Sequence, residues 1–329
     1  MHDLIIIGSG PAGLSAALAA KHCRLDCLVI ERGAIADTVY HYPIARPLFS
    51  TSNEVEIEQG ALRRDVKPTR EEVLAHYVDI VKRERINVRT HEEVRNVTVF
   101  DGGFLVETIA GRYQSRSLLM AIGGFGCQRK LYVPGESPTR VSYKFSEAHP
   151  YAMKHVLVVG GGNSAAEAVL FLEEAGAHVT FSIRRSALDA DSDSTVKIKP
   201  WVREPLERLE AAGRINILLS SQVMAIGPET ATMQIASADT TDIIEVSCDR
   251  IFALIGADPD TRLLREAGAQ IASDGRPIYS ENYETTVPGL YVAGHVTREM
   301  HMKNAIAVGR AVVEHIASNV CEGSLACGN

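Results

Sequence analysis

The chain has 329 residues, 46% of them hydrophobic and 23% charged, and a net charge of −7. That length accommodates two domains with separate cores; the acidic balance argues against a nucleic-acid footprint, and no apolar run approaches the roughly 20 residues that span a bilayer. Met1-His2-Asp3 leads straight into a strand-like run without a basic n-region or cleavage site, so the expectation is a cytoplasmic protein outside any membrane.

The first elements form a dinucleotide-binding pattern. Leu4–Ile7 is a β-favouring apolar run suited to a buried parallel strand. Gly8, Gly10 and Gly13 follow in G-x-G-x-x-G spacing, interleaved with Ser9, Pro11 and Ala12. The first glycine permits the tight turn, the second lets backbone approach a pyrophosphate, and the third lets the helix pack close to the strand. Pro11 suits a first helical turn, and a helix over Ala12–His22 aims its amides at phosphate. A second strand, Leu25–Ile30, ends at Glu31-Arg32, with Glu31 placed 21 residues after Gly10, where an acid bonds ribose hydroxyls. The motif calls for a dinucleotide and does not choose between FAD and NAD.

Residues 37–66 form a long connection holding Tyr40, Tyr42, Phe49, Ser50, Thr51 and Ser52, a composition expected of a functional loop. Tyr42 and Thr51 are candidate cofactor contacts. Thr69 is positioned to cap a helix with Glu71 and Glu72 in its first turn. A strand begins at Val88. Val97–Phe100 and Phe104–Ile109 read as a hairpin through Asp101-Gly102-Gly103. Leu118–Ile122 is a buried strand closed by Gly123-Gly124.

A second dinucleotide pattern starts at the strand His155–Val159. Gly160, Gly162 and Ala165 give the G-x-G-x-x-A form, followed by a helix from Asn163 to Ala175 that has Ser164 in its first turn and Gly176 beyond its end. The next strand, His178–Ile183, ends in Arg184 and Arg185 rather than an acid. Arginine forks bind a 2′-phosphate that a carboxylate would repel, so this unit reads as an NADPH site. Lys197 and Lys199 add positive charge nearby. Strands follow at Ala231–Ile235, Ile243–Val246 and Arg250–Ile255, the last ending at Gly256. "VPGLYVAGHV" reads as turn, buried strand and turn, and carries Gly294 and His295. A final helix is expected over Ala305–Asn319, with a fraying tail over Val320–Asn329. The six cysteines (Cys23, Cys27, Cys127, Cys248, Cys321 and Cys327) are irregularly spaced, so neither a disulfide framework nor a metal site is expected.

Two dinucleotide units, the strand end Ala121–Gly124, the Ile255-Gly256 turn and "TTVPGLYVAG" before a final helix resemble the two-dinucleotide-binding-domain flavoproteins. The resemblance implies an α/β fold of two Rossmann-like domains: an FAD-binding domain from residues 1–125 and 250–329, with an NADPH-binding domain, 126–249, inserted. The short C-terminal part is similar to the low-molecular-weight thioredoxin reductase branch and implies a homodimer. Thioredoxin reductases carry a C-x-x-C just before the second glycine motif; here "VSYKFSEAHPYAMKHV" has no cysteine, which argues against that activity. "YHYPIARPLFSTS", "FSEAHPY" and "IKPW" are similar to the bacillithiol disulfide reductase family, with one departure: Ala12 stands where that family commonly has a cysteine.

The resemblance implies hydride transfer from NADPH to FAD and then to a small-molecule disulfide. Two alternatives stay open: a ferredoxin or other small redox protein as acceptor, or a flavin-binding sensor without turnover. It further implies Glu31 at the adenosine ribose, Val94 at adenine, and Asn304 and Ala305 at a helix start directed at the flavin. His295 replaces the superfamily's usual Asp; it either bonds a ribityl hydroxyl or serves as an acid/base in the acceptor pocket. Tyr143 and Lys144 occupy the place of the missing dithiol, which implies that they line the acceptor side, with Tyr143 a candidate catalytic residue. Cys127, just past Gly123-Gly124, is the candidate redox thiol, set against an ordinary small buried hydrophobe.

Overall fold

The computed structural model describes residues 1–48, 50–63, 66–188, 198–237, 240–299 and 301–326, with the side chains of 320–326 left aside. The chain forms two compact units, Met1–Cys127 with Asp258–Asn329, and Gln128–Ala257.

The first unit opens with β1 (His2–Ile7), α1 (Pro11–His22) and β2 (Cys27–Ile30), then two short helices, α2 (Asp37–Tyr40) and α3 (Ser52–Val55). These short helices break up the long connection expected over residues 37–66. Next come α4 (Arg70–Arg83), β3 (Val88–Arg89), β4 (Val94–Phe100), β5 (Gly103–Thr108) and β6 (Arg112–Met120). Thr69 and Glu72 close a reciprocal capping box at the start of α4. Through the second unit the chain makes β7 (Cys127–Gln128), β8 (Val141–Ser142), β9 (His155–Val159), α5 (Asn163–Glu174), β10 (His178–Ser182), α6 (Pro200–Ala211), β11 (Ile215–Leu218), β12 (Ser221–Ile226), β13 (Thr230–Ala236), β14 (Thr241–Ser247) and β15 (Arg250–Ala253). It returns through β16 (Ala257–Asp258), α7 (Arg262–Glu266), β17 (Leu290–Val292) and α8 (Met302–Ala326).

The main sheet of the first unit runs β3-β2-β1-β6-β5-β4. β6 does double duty. Its first half pairs antiparallel with β5, and its last residues lie between β1 and β17, both parallel to it. Leu4 and Ile6 face α1 and α8, whereas Ile5 and Ile7 face Val94, Leu118 and Leu263. Both faces of β1 are therefore covered, which is why its sequence is an unbroken apolar run. Small residues along α1 (Ala12, Ala16, Ala19 and Ala20) let α8 approach closely. A Cβ on Gly309 of α8 would sit 2.2 Å from the Ala12 carbonyl oxygen, and Ser15 Oγ donates to the Ile306 carbonyl at 2.8 Å. α8 runs beyond the expected end at Asn319 to Ala326: the tail has no proline, and one interior glycine costs only about 1 kcal/mol.

The second unit holds a parallel sheet in the order β11-β10-β9-β15-β8 and a separate antiparallel sheet β12-β13-β14. The sequence division placed residues from 250 onwards with the first unit. Instead β15 pairs in register with β9, Arg250 to Val156 through Ala253 to Val159, burying Ile251 and Phe252, so the second unit extends to Ala257. Among the described residues no helix is long and apolar enough to cross a membrane.

Candidate functional site: the first-unit cavity and the second glycine turn

The first glycine turn floors a cavity of about 260 Å³ in the first unit. Gly8 has φ +106°, and a Cβ there would meet the Ala121 carbonyl oxygen at 2.4 Å, so the residue following β6 fixes the turn from one side. A Cβ on Gly13 would fall 1.9 Å from the Gly8 carbonyl oxygen, which holds α1 directly over the turn. Gly10 is different: its backbone is extended (φ −72°, ψ −176°), and a Cβ there would meet nothing within 4 Å. Gly10, Pro11 and Ala12 all line the cavity. The start of α1 thus meets the cavity, and a helix start presents unsatisfied amides and the positive end of the macrodipole.

Glu31 is a fixed carboxylate in the cavity wall, only 8% exposed. Its Oε2 accepts from the Ser9 amide (2.8 Å) and Ser9 Oγ (3.0 Å), and its Oε1 accepts from the Gly33 amide (2.8 Å). Ser9 is fully buried, so its role is to hold Glu31 rather than to face the cavity. Carboxylate oxygens have further lone pairs for a hydroxyl donor. Arg32, Tyr42 and Val94 line the same cavity, as do Asp37, Asp260 and Arg262, which sequence reasoning did not single out. The signal for the last two is the polar run "ADPDTR" directly after a buried strand.

Ala121, Gly123 and Phe125 form the facing wall with Gly294, His295 and Ala305. The His295 ring stands edge-on to Phe125 with centroids 4.8 Å apart. A Cβ on Gly124 would lie 2.6 Å from His295 Cδ2, so glycine there admits the imidazole. Burial holds the His295 imidazole below its ordinary pKa, and the nearby Arg276 and His301 charges push the same way. It is therefore neutral near pH 7, with one nitrogen donating and one accepting.

Besides Ser9 and Gly13, three sequence candidates lie outside the cavity lining. Thr51 caps α3, its amide and hydroxyl both directed at Glu54. Asn304 donates to Glu299 at 2.7 Å. Cys127 is exposed on β7, and its thiol is pushed upward by burial and by Asp260 and Asp258, against a downward pull from Arg32. Such a thiol stays protonated at neutral pH and is a weak nucleophile. Phe49, Lys197 and Cys327 lie outside the described residues, as does the side chain of Cys321.

The second glycine turn repeats the first in its logic. Gly160 has φ +149°, and a Cβ there would meet the Leu254 carbonyl oxygen at 2.4 Å, with the buried Ala165 closing in at 3.0 Å. Gly162 caps α5 in extended geometry, and Ser164 is exposed in the first turn. Asn163 Oδ1 accepts the Lys199 amide at 2.8 Å, tying the start of α6 to the start of α5. The two arginines separate in role: Arg185 Nη2 donates to the Gly161 carbonyl at 2.5 Å, whereas Arg184 is exposed. The amide of Arg129 bonds the carbonyl of Gly256 at 3.1 Å. Tyr143 is held in a corner: its hydroxyl donates to Glu136 and accepts the Leu131 amide at 2.9 Å, and Lys130 Nζ lies 3.8 Å from its ring centroid. Burial, then the Glu136 contact, push its pKa up to about 12.

A sequence profile of the pyridine nucleotide-disulphide oxidoreductases matches residues 5–294. The chain is 34% identical over 327 residues to bacilliredoxin reductase Bdr of Bacillus subtilis (strain 168), covering 97% of each chain. It is 27% identical over 307 residues to a ferredoxin–NADP reductase of Ignicoccus hospitalis (strain KIN4/I / DSM 18386 / JCM 14125), covering 90% of each. Among solved structures it superposes on the bacillithiol disulfide reductase Bdr (YpdA) of Staphylococcus aureus with a TM-score of 0.88 and 31% identity, covering 96% of this chain and 98% of the other. The chain is thus an oxidoreductase of the pyridine nucleotide-disulphide oxidoreductase family, in the thioredoxin-reductase-like branch that includes the bacillithiol disulfide reductases.

Proposed function

We propose that the chain is an FAD-dependent NADPH oxidoreductase that reduces a low-molecular-weight disulfide without a C-x-x-C dithiol of its own, with FAD in the first unit and NADPH in the second. The observation that carries this reading is the first-unit cavity, which joins the open face of Gly10, the start of α1, the fixed Glu31 carboxylate and the His295 wall. These residues fit a dinucleotide: no side chain fills the space at Gly10 where a diphosphate must come close, and a carboxylate stands ready for ribose hydroxyls. Bound FAD supplies the two-electron chemistry between a reduced nicotinamide and a disulfide.

The chain's own residues do the rest. The start of α1 offsets diphosphate charge. Glu31, locked by Ser9 and Gly33, orients the ribose. Neutral His295 offers a donor and an acceptor to a polar ligand chain. In the second unit the exposed Arg184 is the residue for the 2′-phosphate, and Arg185 braces the glycine turn through Gly161. Ala12 in the first glycine turn and the protonated Cys127 on β7 supply no activated thiol, so the acceptor disulfide is reduced without a mixed disulfide to this chain at either position.

A protein acceptor is the second reading, favoured by the ferredoxin–NADP reductase relative and by the lack of any C-x-x-C in the sequence. The test is anaerobic titration of FAD-loaded protein with NADPH and with NADH, followed by oxidised bacillithiol or oxidised ferredoxin. Bleaching by NADPH and recovery with the disulfide supports the proposal. Recovery with ferredoxin alone selects the second reading, and no bleaching by either nucleotide overturns both.

A further inference from the structure

Arg276 lies outside the cavity, in the turn bridged by Ile271 and Pro277. Its Nη1 nevertheless donates to two main-chain carbonyls, that of the wall residue His295 at 2.6 Å and that of Thr297 just beyond it. The wall is fixed from within as well. Thr297 is fully buried; its amide (2.9 Å) and hydroxyl (2.7 Å) both bond the Gly294 carbonyl, and its hydroxyl accepts the Glu299 amide at 3.1 Å. The Arg276 backbone is itself anchored, its amide on Asp274 Oδ1 at 3.1 Å and its carbonyl receiving the Ala272 amide at 2.8 Å. Asp274 in turn pairs with Arg298 at 2.9 Å. The guanidinium thus holds the main chain on both sides of Val296, while the His295 imidazole lines the cavity against Phe125 and Gly124.

We propose that Arg276 is a positioning residue for the first-unit site, acting through the carbonyls of His295 and Thr297 to hold the His295 ring in the cavity wall toward a bound dinucleotide. This rests on the reading of that cavity as the FAD site. Charge adds to geometry. The charged groups acting on His295 are Arg276 from the outer turn and His301 from the segment leading into α8, and both disfavour its protonation. Glu299, Asp260, Arg262 and Arg32 line the same cavity. A neutral imidazole keeps an acceptor nitrogen that an imidazolium lacks.

The experiment compares wild type with R276M, R276K and R298M. FAD affinity is read from quenching of flavin fluorescence. The titration of His295 in FAD-free protein is read by NMR of labelled histidine, assigned with H295N. R276M is expected to weaken FAD binding about tenfold or more, the equivalent of one lost charge-assisted hydrogen bond, and to move the His295 titration upward. R276K, which keeps a charged donor, restores affinity to within about threefold of wild type. R298M, which removes the neighbouring ion pair without touching either carbonyl, leaves affinity within about twofold. If R276M does not fold, R276Q carries the test: its amide is polar but uncharged and two atoms short of the carbonyls, so affinity falls by about threefold or more and the titration still rises. Wild-type FAD affinity together with a wild-type His295 titration in R276M or R276Q overturns the inference, as does an equal loss in R298M. Wild-type protein that takes up no FAD defeats the reading of the cavity instead, and the histidine titration then decides the role of Arg276 alone.

Discussion

Replacing Gly10 by alanine separates folding from cofactor binding at a single carbon. The Gly10 backbone is in the extended region, which alanine adopts without strain, and its added Cβ meets nothing within 4 Å. A Gly→Ala change at a compatible site stabilises a protein by about 0.4–1 kcal/mol by restricting the unfolded chain. At roughly 2–4 °C per kcal/mol for a unit of this size, the Tm of FAD-free protein should rise by about 1–4 °C. The new methyl stands in the space a diphosphate must enter, and overpacking of that kind costs about 1–3 kcal/mol. The Kd for FAD should therefore rise about 5- to 150-fold while the fold improves. Gly13→Ala is the contrast: its Cβ would lie 1.9 Å from the Gly8 carbonyl oxygen, so α1 must shift and the FAD-free protein itself loses stability. Thermal melts without FAD, paired with fluorescence titrations of FAD, read both quantities. A Gly10→Ala protein that binds FAD within about twofold of wild type refutes the placement of the diphosphate at this turn.

Arg184→Ala should raise the KM for NADPH about tenfold, leave that for NADH nearly unchanged, and leave the Tm in place, because the side chain is exposed. Tyr143→Phe should lower stability by about 1–3 kcal/mol in urea melts, since the Leu131 amide and Glu136 lose their partner, with turnover on the disulfide close to wild type; a collapse of turnover in stable protein would return Tyr143 to the acceptor site. His76 is buried in α4, and its Nε2 accepts the Ile57 amide at 3.3 Å. Burial holds its pKa below the ordinary 6.5, against opposing pulls from Glu56 and Asp79. The unfolded chain then binds more protons, so this contribution to stability is complete above about pH 6.5 and is lost as the pH falls through the folded value. Urea melts at about pH 7.5 and pH 5.5 should show that loss, and His76→Gln should shrink it; His295 retains a share of the same sign.

Both glycine turns were legible in the sequence because their spacing after a buried strand is itself the signal: Gly8, Gly13 and Gly160 meet a close backbone oxygen, and Gly10 leaves space open. Glu31 was legible for the same reason. Its support by Ser9 and Gly33 was less so, because that network depends on where the chain turns after β2. The edge of the second unit was misplaced by eight residues because a short apolar strand reads alike in either sheet, and only its register with β9 assigns β15. Thr51 stood out by its place in a hydroxyl-rich loop and Asn304 by its place at the start of the last helix; the hydrogen bonds of their side chains go to Glu54 and Glu299. Arg276 left no local signal at all. Its partners lie 19 and 21 positions along the chain and are main-chain atoms, which no pattern of side-chain types encodes.

The discontinuity of the first unit has a consequence for the order in which the protein is made. β1 to β6 leave the ribosome before the second unit, but the flank of β6 that receives β17 and the face of α1 that receives α8 stay bare until residues 290–326 follow. Residues 128–257 form a compact unit of their own and are complete before that happens. Since domains fold as units in the order they emerge, the inserted unit is finished while the wall carrying His295 and Ala305 has yet to be synthesised. During that interval the nascent chain carries an apolar sheet edge with no cover, which makes β17 and α8 the elements that end its exposure to aggregation.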